Sequence, residues 1–406
     1  MVLKAVELFS GAGGLGLGIS LAGFKPLAVV EWDRWACDTL RENQRQGFPL
    51  VTDWPVIEGD VRQLNLDNFP AGLDLVAGGP PCQPFSIGGK HGAHDDSRDM
   101  FPAMIDIIRA LHPRAFIIEN VKGLTRSAFA NYFQYILLQL EFPEVERRPG
   151  ETWSEHLRRL QSEKTSARMH SGNFLTYNVV TTLANAANFG IPQKRERVFI
   201  VGFRGDLGVE WSFPRETHSL DELLRDQWVT GDYWNRHCKP KPRVVPPGVA
   251  ARCFRLRQLP IREFTCSPWR TIRDALMGLP DPEHRPESVF PNHRFQPGAK
   301  TYPGHTGSVL DLPSKTLKAG DHGVPGGENM IIKDDGSVRY LTVRESARLQ
   351  TFPDGYLLHG SWTETMRQLG NAVPVSLAQI VASSVARTLI QMDFPGRCKE
   401  VGDKAA

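Results

Sequence analysis

Ala5-Val6-Glu7-Leu8-Phe9-Ser10-Gly11-Ala12-Gly13-Gly14-Leu15-Gly16 decides the fold. Ala5 to Phe9 reads as a buried strand, and the glycines behind it form a sharp turn that opens a helix. Gly11, Gly13 and Gly16 satisfy G-x-G-x-x-G, the spacing that lets a backbone turn tightly and approach a ligand closely. Leu27 to Glu31, Leu73 to Ala77 and Ala115 to Glu119 are further apolar runs. Between the last two, Met104, Ile105, Ile108 and Leu111 recur at helical spacing. Strands alternating with helices predict an α/β domain with a mostly parallel, twisted sheet covered on both faces. Tyr177 to Val180 and Arg197 to Val201 predict an antiparallel hairpin at one edge.

The glycine turn implies an adenosine cofactor. Glu31, twenty residues after Gly11, ends the second strand and can accept hydrogen bonds from ribose hydroxyls. Trp32 offers a flat face for adenine, and Asp60 can reach the adenine amino group. A nicotinamide dinucleotide and S-adenosylmethionine fit these features equally. No Gly-Lys-Ser/Thr follows the glycines, which argues against a triphosphate-binding loop.

Leu73 to Ser86 carries the reactive group. The strand stops at Gly78-Gly79-Pro80-Pro81, and Cys82 follows. Proline cannot continue a ladder, so the chain must turn and present the thiol at the strand exit, where open α/β sheets bind ligands. A buried structural thiol is the competing reading. Glu119-Asn120-Val121 ends another apolar strand; a carboxyl backed by isoleucines is partly desolvated, which favours its neutral acid. In Gln193-Lys194-Arg195-Glu196-Arg197 two arginines stand two apart, so on one strand both would share a face.

The rest of the chain sets bounds. It has 406 residues with 41% hydrophobic and 23% charged, an ordinary globular composition large enough for two or three domains. The six cysteines, at 37, 82, 238, 253, 266 and 398, form no C-x-x-C pair, which argues for a reducing compartment and against a structural metal. No apolar stretch resembles a membrane span, and Glu7 within the glycine-rich N-terminus argues against a signal peptide. Net charge is only +3, yet from Arg236 to Ile272 nine basic residues face a single acid, Glu263. Such a patch fits a polyanion. Beyond about Phe213 prolines and arginines multiply, so 214–335 reads as a second, loop-rich region. Helical patterns return at Thr342 to Leu349 and Val375 to Ile390, and Gly370 to Pro374 is expected to open the last helix. Glu144 to Met169 reads as a charged surface insertion.

Taken together, Phe9 to Gly16, Glu31-Trp32-Asp33, Gly59-Asp60, Gly79 to Ser86, Asp96-Ser97-Arg98, Glu119 to Val121, Gln193 to Arg197, Arg339 to Pro353 and Gly370 to Pro374 resemble the DNA (cytosine-5)-methyltransferases of bacterial restriction-modification systems, in the family's order and over almost the whole chain. The resemblance implies a Rossmann-like S-adenosylmethionine-dependent domain at 1–213, completed by 364–406. It implies a smaller domain at 214–363 that carries a target-recognition region and a supporting helix. It implies Cys82 as the nucleophile, Glu119 as the acid at ring nitrogen 3, Arg197 on the exocyclic oxygen and Arg195 keeping Cys82 anionic. Cofactor contacts would come from Phe9, Ser10, Gly11, Gly13, Gly14, Leu15, Glu31, Trp32, Asp60, Val61, Pro80, Asn371 and Ala372, with S-adenosyl-L-homocysteine as the product. Gln83, Ser86, Lys90, Arg98, Arg243, Arg252, Arg255 and Arg257 would contact double-stranded DNA. No metal and no membrane are implied. The resemblance suggests a monomer in the bacterial cytoplasm, on nucleoid DNA, with a possible cognate endonuclease. A tRNA-methylating relative, a dead DNA-binding relative and a dinucleotide oxidoreductase are the rival readings; the last leaves Pro81-Cys82-Gln83 and the arginine pair unexplained.

Overall fold

The computed structural model describes residues 2–70, 72–81, 99–165, 174–259, 266–284, 289–303, 306–319 and 327–394. They form two units. One comprises Met1–Ala184, Glu196–Pro214 and Ala378–Ala406, the other Asn185–Arg195 and Arg215–Leu377.

The first unit is built on a seven-stranded sheet. Its elements are β1 (Leu3–Leu8), α1 (Gly14–Leu21), β2 (Phe24–Glu31), α2 (Arg34–Arg45), β3 (Val56–Glu58), β4 (Leu75–Gly78), α3 (Phe101–Leu111), β5 (Ala115–Val121), α4 (Ala130–Glu141), α5 (Trp153–Lys164), β6 (Tyr177–Asn185) and β7 (Glu196–Arg204). The strand order is β3-β2-β1-β4-β5-β7-β6. Strands β1 to β5 pair in parallel, and β7 runs antiparallel against β5. The chain winds outward from β1 to β3, then returns to continue from β4 on the other side of β1. That reversal is a switch point, where a crevice opens at the carboxyl ends of the strands. The buried strands read as unbroken apolar runs because both faces are covered. Pro26, with no N–H to give, sits where the β1–β2 register slips by one residue.

The expected strands and the helix over Met100 to Leu111 are present, with Met104, Ile105, Ile108 and Leu111 all in the core. The charged insertion is more than surface. Thr152 and Glu155 form a capping box that starts α5. His156, Leu157 and Leu160 are buried, and the Tyr135 hydroxyl meets His156 Nδ1 at 2.9 Å.

Glu7, in the middle of β1, is fully buried against Gly16. A Cβ at Gly16 would lie 2.2 Å from a Glu7 carboxyl oxygen and 2.7 Å from the Trp54 ring, so any larger residue must displace both side chains. Burial, partly offset by the Gly16 amide, pushes the Glu7 pKa up to about 8. A raised carboxyl pKa means that the folded state holds a proton the unfolded chain releases near pH 4.5. Stability from this group is therefore complete below that pH and is lost as pH rises through about 8. Thermal melts between pH 5 and 9 are expected to show that fall in the wild type and a flatter profile in Glu7→Gln. Equal slopes would refute the assignment.

The second unit contains β8 (His218–Ser219), α6 (Leu220–Arg225), α7 (Asp232–Arg236), α8 (Pro247–Gln258), β9 (Ser267–Pro268), α9 (Ile272–Leu276), β10 (Ser308–Val309), β11 (Met330–Ile332), β12 (Val338–Tyr340), α10 (Val343–Leu349) and α11 (Trp362–Asn371). Its core gathers Leu223, Trp228, Tyr233, Trp234, Cys253, Leu256 and Trp269. The region expected to be loop-rich thus holds four α-helices among its described residues. The largest, α8, starts at Pro246-Pro247-Gly248, a stretch that reads as a turn although proline at the first helical position is a regular start.

Two expectations are corrected here, the domain boundary and the absence of a long apolar stretch. The second unit takes in 185–195 as well as 364–377, because Arg195 and Gln193 belong to it. Arg195 is fully buried and donates to the carbonyls of Leu317 (3.3 Å), Gly370 (2.8 Å) and Ala372 (2.8 Å). Gln193 accepts from the Leu317 amide at 3.1 Å. Gly370 to Pro374 leads into the last helix as expected: α11 ends at Asn371, and the last helix, Val375–Asp393, starts directly after Pro374. Together Trp362–Asp393 are apolar and long enough by composition to cross a membrane, but much of the stretch is buried in the protein.

Candidate active site

The parallel strands of the first unit deliver their carboxyl ends to one edge of the sheet. From β3 through β5 that edge carries Asp60-Val61, Glu31-Trp32, Phe9 to Gly13, Gly79-Pro80-Pro81 and Glu119-Asn120. Because β7 is antiparallel, its first residues reach the same edge: Arg197 pairs with Val121.

The glycine turn is held from below by Glu31. Its carboxylate accepts from the Gly11 amide at 2.7 Å, from Trp32 at 2.9 Å and from Asp33 at 2.8 Å. Asp33 in turn caps α2 through the Ala36 amide. Burial raises the Glu31 pKa, and the three backbone amides oppose that shift. Gly13, with φ of 83°, is the cap from which α1 starts, a conformation costly for other residues. Phe9 also lies in the left-handed region, at φ 56°. Strain of this kind persists only where neighbours enforce it; here the Ser10 amide is tied to Val30 O at 3.2 Å and Gly13 to Ser10 O at 2.9 Å.

This cradle suits an adenosine ligand. The Ser10 hydroxyl is buried without a hydrogen-bond partner among the described residues. Trp32 is 73% exposed, leaving its ring free to stack. Gly14, Leu15, Val61 and Pro80 are buried around the turn and the neighbouring strand ends. Asp60 is already engaged: it accepts from the Arg62 amide at 2.9 Å and from Arg62 Nε at 3.0 Å, and the guanidinium holds its carboxyl below the usual range. An adenine amino group would share Asp60 with Arg62, a partner that no motif announces.

Glu119 and Arg197 meet across β5 and β7. Glu119 is two residues before Val121, the register partner of Arg197, so the two side chains lie diagonally on one face. Arg197 Nε is 2.9 Å from Glu119 Oε1, and both side chains are nearly buried. Burial lowers the Arg197 pKa while Glu119 pushes it back up. The sequence suggested a carboxyl backed by isoleucines; the structure adds a counter-ion. Arg195 is not its companion. It precedes β7 and lies in the second unit, so the expectation of two arginines sharing one strand face fails.

Asn120 adds a contact that the sequence reading passed over. Its side-chain amide donates to Pro80 O at 3.0 Å, and its oxygen accepts from the Val121 amide at 2.9 Å. It therefore ties the end of β5 to the chain two residues before Cys82. Asn120→Ala is expected to cost about 1–2 kcal/mol of stability. It should also lower kcat by tenfold or more, through misplacement of the following segment. A thermal melt with steady-state kinetics checks both; unchanged kcat would show that the contact is only structural. Cys82, Gln83, Ser86, Lys90 and Arg98 lie outside the described residues. Asn371 and Ala372 lie in the second unit, where Ala372 O accepts from Arg195.

A family profile for C-5 cytosine-specific DNA methylase matches residues 3–143, 157–242 and 288–387. The chain belongs to that family. It is a DNA (cytosine-5)-methyltransferase. The Type II methyltransferase M.PspPI of Psychrobacter sp. (strain TA137) is 30% identical over 95% of this chain and 79% of its own length. M.Eco47II of Escherichia coli, also a Type II methyltransferase, is 29% identical over 96% of this chain and 80% of its own. In fold, the methyltransferase is similar to the S. pombe Dnmt2 methyltransferase, with a TM-score of 0.53 at 19% identity over 97% of this chain and 100% of that one. The oxidoreductase reading falls with this assignment, and the methyltransferase's sheet is the Rossmann-like one expected.

Proposed function

We propose that this methyltransferase modifies carbon 5 of a cytosine flipped out of a specific double-stranded DNA sequence, through a covalent bond between Cys82 and carbon 6. The observation that carries this is the Glu119–Arg197 pair at the strand edge, beside the Pro80 carbonyl that Asn120 grips two residues before the thiol. A stacked base admits no attack from above its plane, so the cytosine must leave the duplex. The Cys82 thiolate adds to carbon 6, and the ring's π electrons shift towards carbon 5 and nitrogen 3. Glu119, braced by Arg197, hydrogen-bonds or protonates nitrogen 3 and so drives that addition. Arg197 also reaches the exocyclic oxygen. Bound S-adenosylmethionine would supply an electrophilic methyl group to carbon 5. Loss of the carbon-5 proton to solvent and release of the thiolate then restore the aromatic ring.

Phe9, Ser10, Gly11, Gly13, Gly14, Leu15, Glu31, Trp32, Asp60, Val61 and Pro80 would hold that cofactor, and the family resemblance adds Asn371 and Ala372. Arg195 serves as a positioning residue, because its guanidinium fixes the Gly370 and Ala372 carbonyls. The enzyme acts as a monomer on nucleoid DNA in the bacterial cytoplasm, beside a cognate endonuclease. Two Type II methyltransferase relatives support that setting. The test is bisulfite sequencing of duplex DNA incubated with purified protein and S-adenosylmethionine. One cytosine in a fixed context should resist conversion. Protection confined to tRNA, or found nowhere, would overturn the reading.

A further inference from the structure

The basic segment of the second unit is not one uniform patch. Arg252 is bound to Asp221 at 2.5 Å, and Arg257 and Lys241 both donate to Trp228 O, at 3.3 and 3.2 Å. Lys239 pairs with Asp334 at 2.8 Å. These cations are already held by partners within the unit. Arg243 and Arg255 are exposed and have no ion pair or hydrogen bond among the described residues.

Arg255 stands on α8. Val249, Cys253 and Leu256 turn that helix towards the core. Ala251, Phe254, Arg255 and Gln258 fall on the opposite face at i, i+3, i+4 and i+7 spacing, with Ala250 on its flank, and all are exposed. Phe254 is 62% exposed among the described residues, high for a large apolar ring. Beside it lies a depression of about 670 Å³ lined by Val245, Ala251, Phe254, Arg255 and Arg257 and, among the described residues, by no acidic residue. From Lys239 to Leu259 the chain has no aspartate or glutamate. A face of small residues, one ring and one free guanidinium, on a helix about 18 Å long, matches the demands of the major groove. The alanines let the backbone approach base edges. A guanidinium grips guanine through two hydrogen bonds, and an aromatic ring covers a thymine methyl.

We infer that α8 is the base-reading element of this enzyme, with Arg255 on a guanine edge and Phe254 against a neighbouring thymine methyl, while Arg243 holds phosphate. The inference rests on the reading of residues 214–335 as the DNA-recognising segment, and it separates residues that read sequence from those that only attract DNA. Arg252 and Arg257, named with them on charge alone, are instead engaged by Asp221 and by Trp228 O.

The wild-type profile on a random-sequence duplex library, measured first by bisulfite sequencing, tests the parent reading on its own. Arg255→Ala, Arg255→Lys, Phe254→Ala and Arg243→Ala are then profiled, with melting temperature as the folding control. Arg255→Ala and Arg255→Lys should both lose the requirement for one guanine, and kcat/KM on the preferred site should fall about 10- to 100-fold. Lysine cannot replace a two-pronged guanidinium at a base edge but can replace it at a phosphate. Phe254→Ala should relax an adjacent A·T preference. Arg243→Ala should weaken all sequences evenly and reduce the salt dependence of binding by about one unit of slope. An unchanged profile in Arg255→Ala, full rescue by lysine, or an even loss over all sequences would overturn the inference.

Discussion

Replacing Cys82 with serine is expected to lower methyl transfer by about four orders of magnitude or more. A cysteine thiol has an ordinary pKa of about 8.5, so a useful fraction is thiolate near neutrality, whereas a serine hydroxyl stays protonated and is the poorer nucleophile. The substitution exchanges one atom and changes no charge in the hydroxyl form. Melting temperature and DNA affinity should therefore stay close to wild type, and the loss should fall on kcat. Single-turnover methylation with binding measured in parallel checks this. Turnover within tenfold of wild type would mean that position 82 does no covalent chemistry.

The second large effect is expected at Glu119. Glu119→Gln keeps the shape but removes the charge and the acid. The proton-transfer contribution of such a group is typically 10²- to 10⁴-fold, so kcat should fall by about that factor. The variant also leaves Arg197 nearly buried without its counter-ion. Removing one partner of a buried pair costs about 3–5 kcal/mol, because the remaining charge is uncompensated. Arg197→Ala should destabilise by a similar amount for the mirror-image reason. The double variant should recover part of that loss of stability while activity remains absent. Full additivity in stability would show that the pair is not coupled.

These two residues also mark what could be read from the chain. Cys82 was legible because proline and glycine punctuate the end of an apolar strand. Glu119 was legible because it closes another such strand. The parallel sheet followed from periodicity, since buried strands and amphipathic helices carry opposite patterns. Arg195 was misplaced for a physical reason. Two arginines at i and i+2 share a face only on one continuous strand, and the strand begins at Glu196. Its three carbonyl partners lie more than a hundred residues away in the chain, so no local pattern announces them. Helix α8 was hidden because its buried stripe is thin and its start resembles a turn. The brace from Asn120 to Pro80 joins two strand ends that are neighbours only in the folded sheet.

The most direct test uses a duplex in which the target cytosine carries fluorine at carbon 5. After methylation there is no proton to lose, so the sulfur–carbon 6 bond should persist. Incubation with S-adenosylmethionine is expected to give a denaturant-stable protein–DNA complex, and peptide mass spectrometry should place the attachment on Cys82. A complex attached at another residue, or none at all while unmodified cytosine is still methylated, would contradict the mechanism.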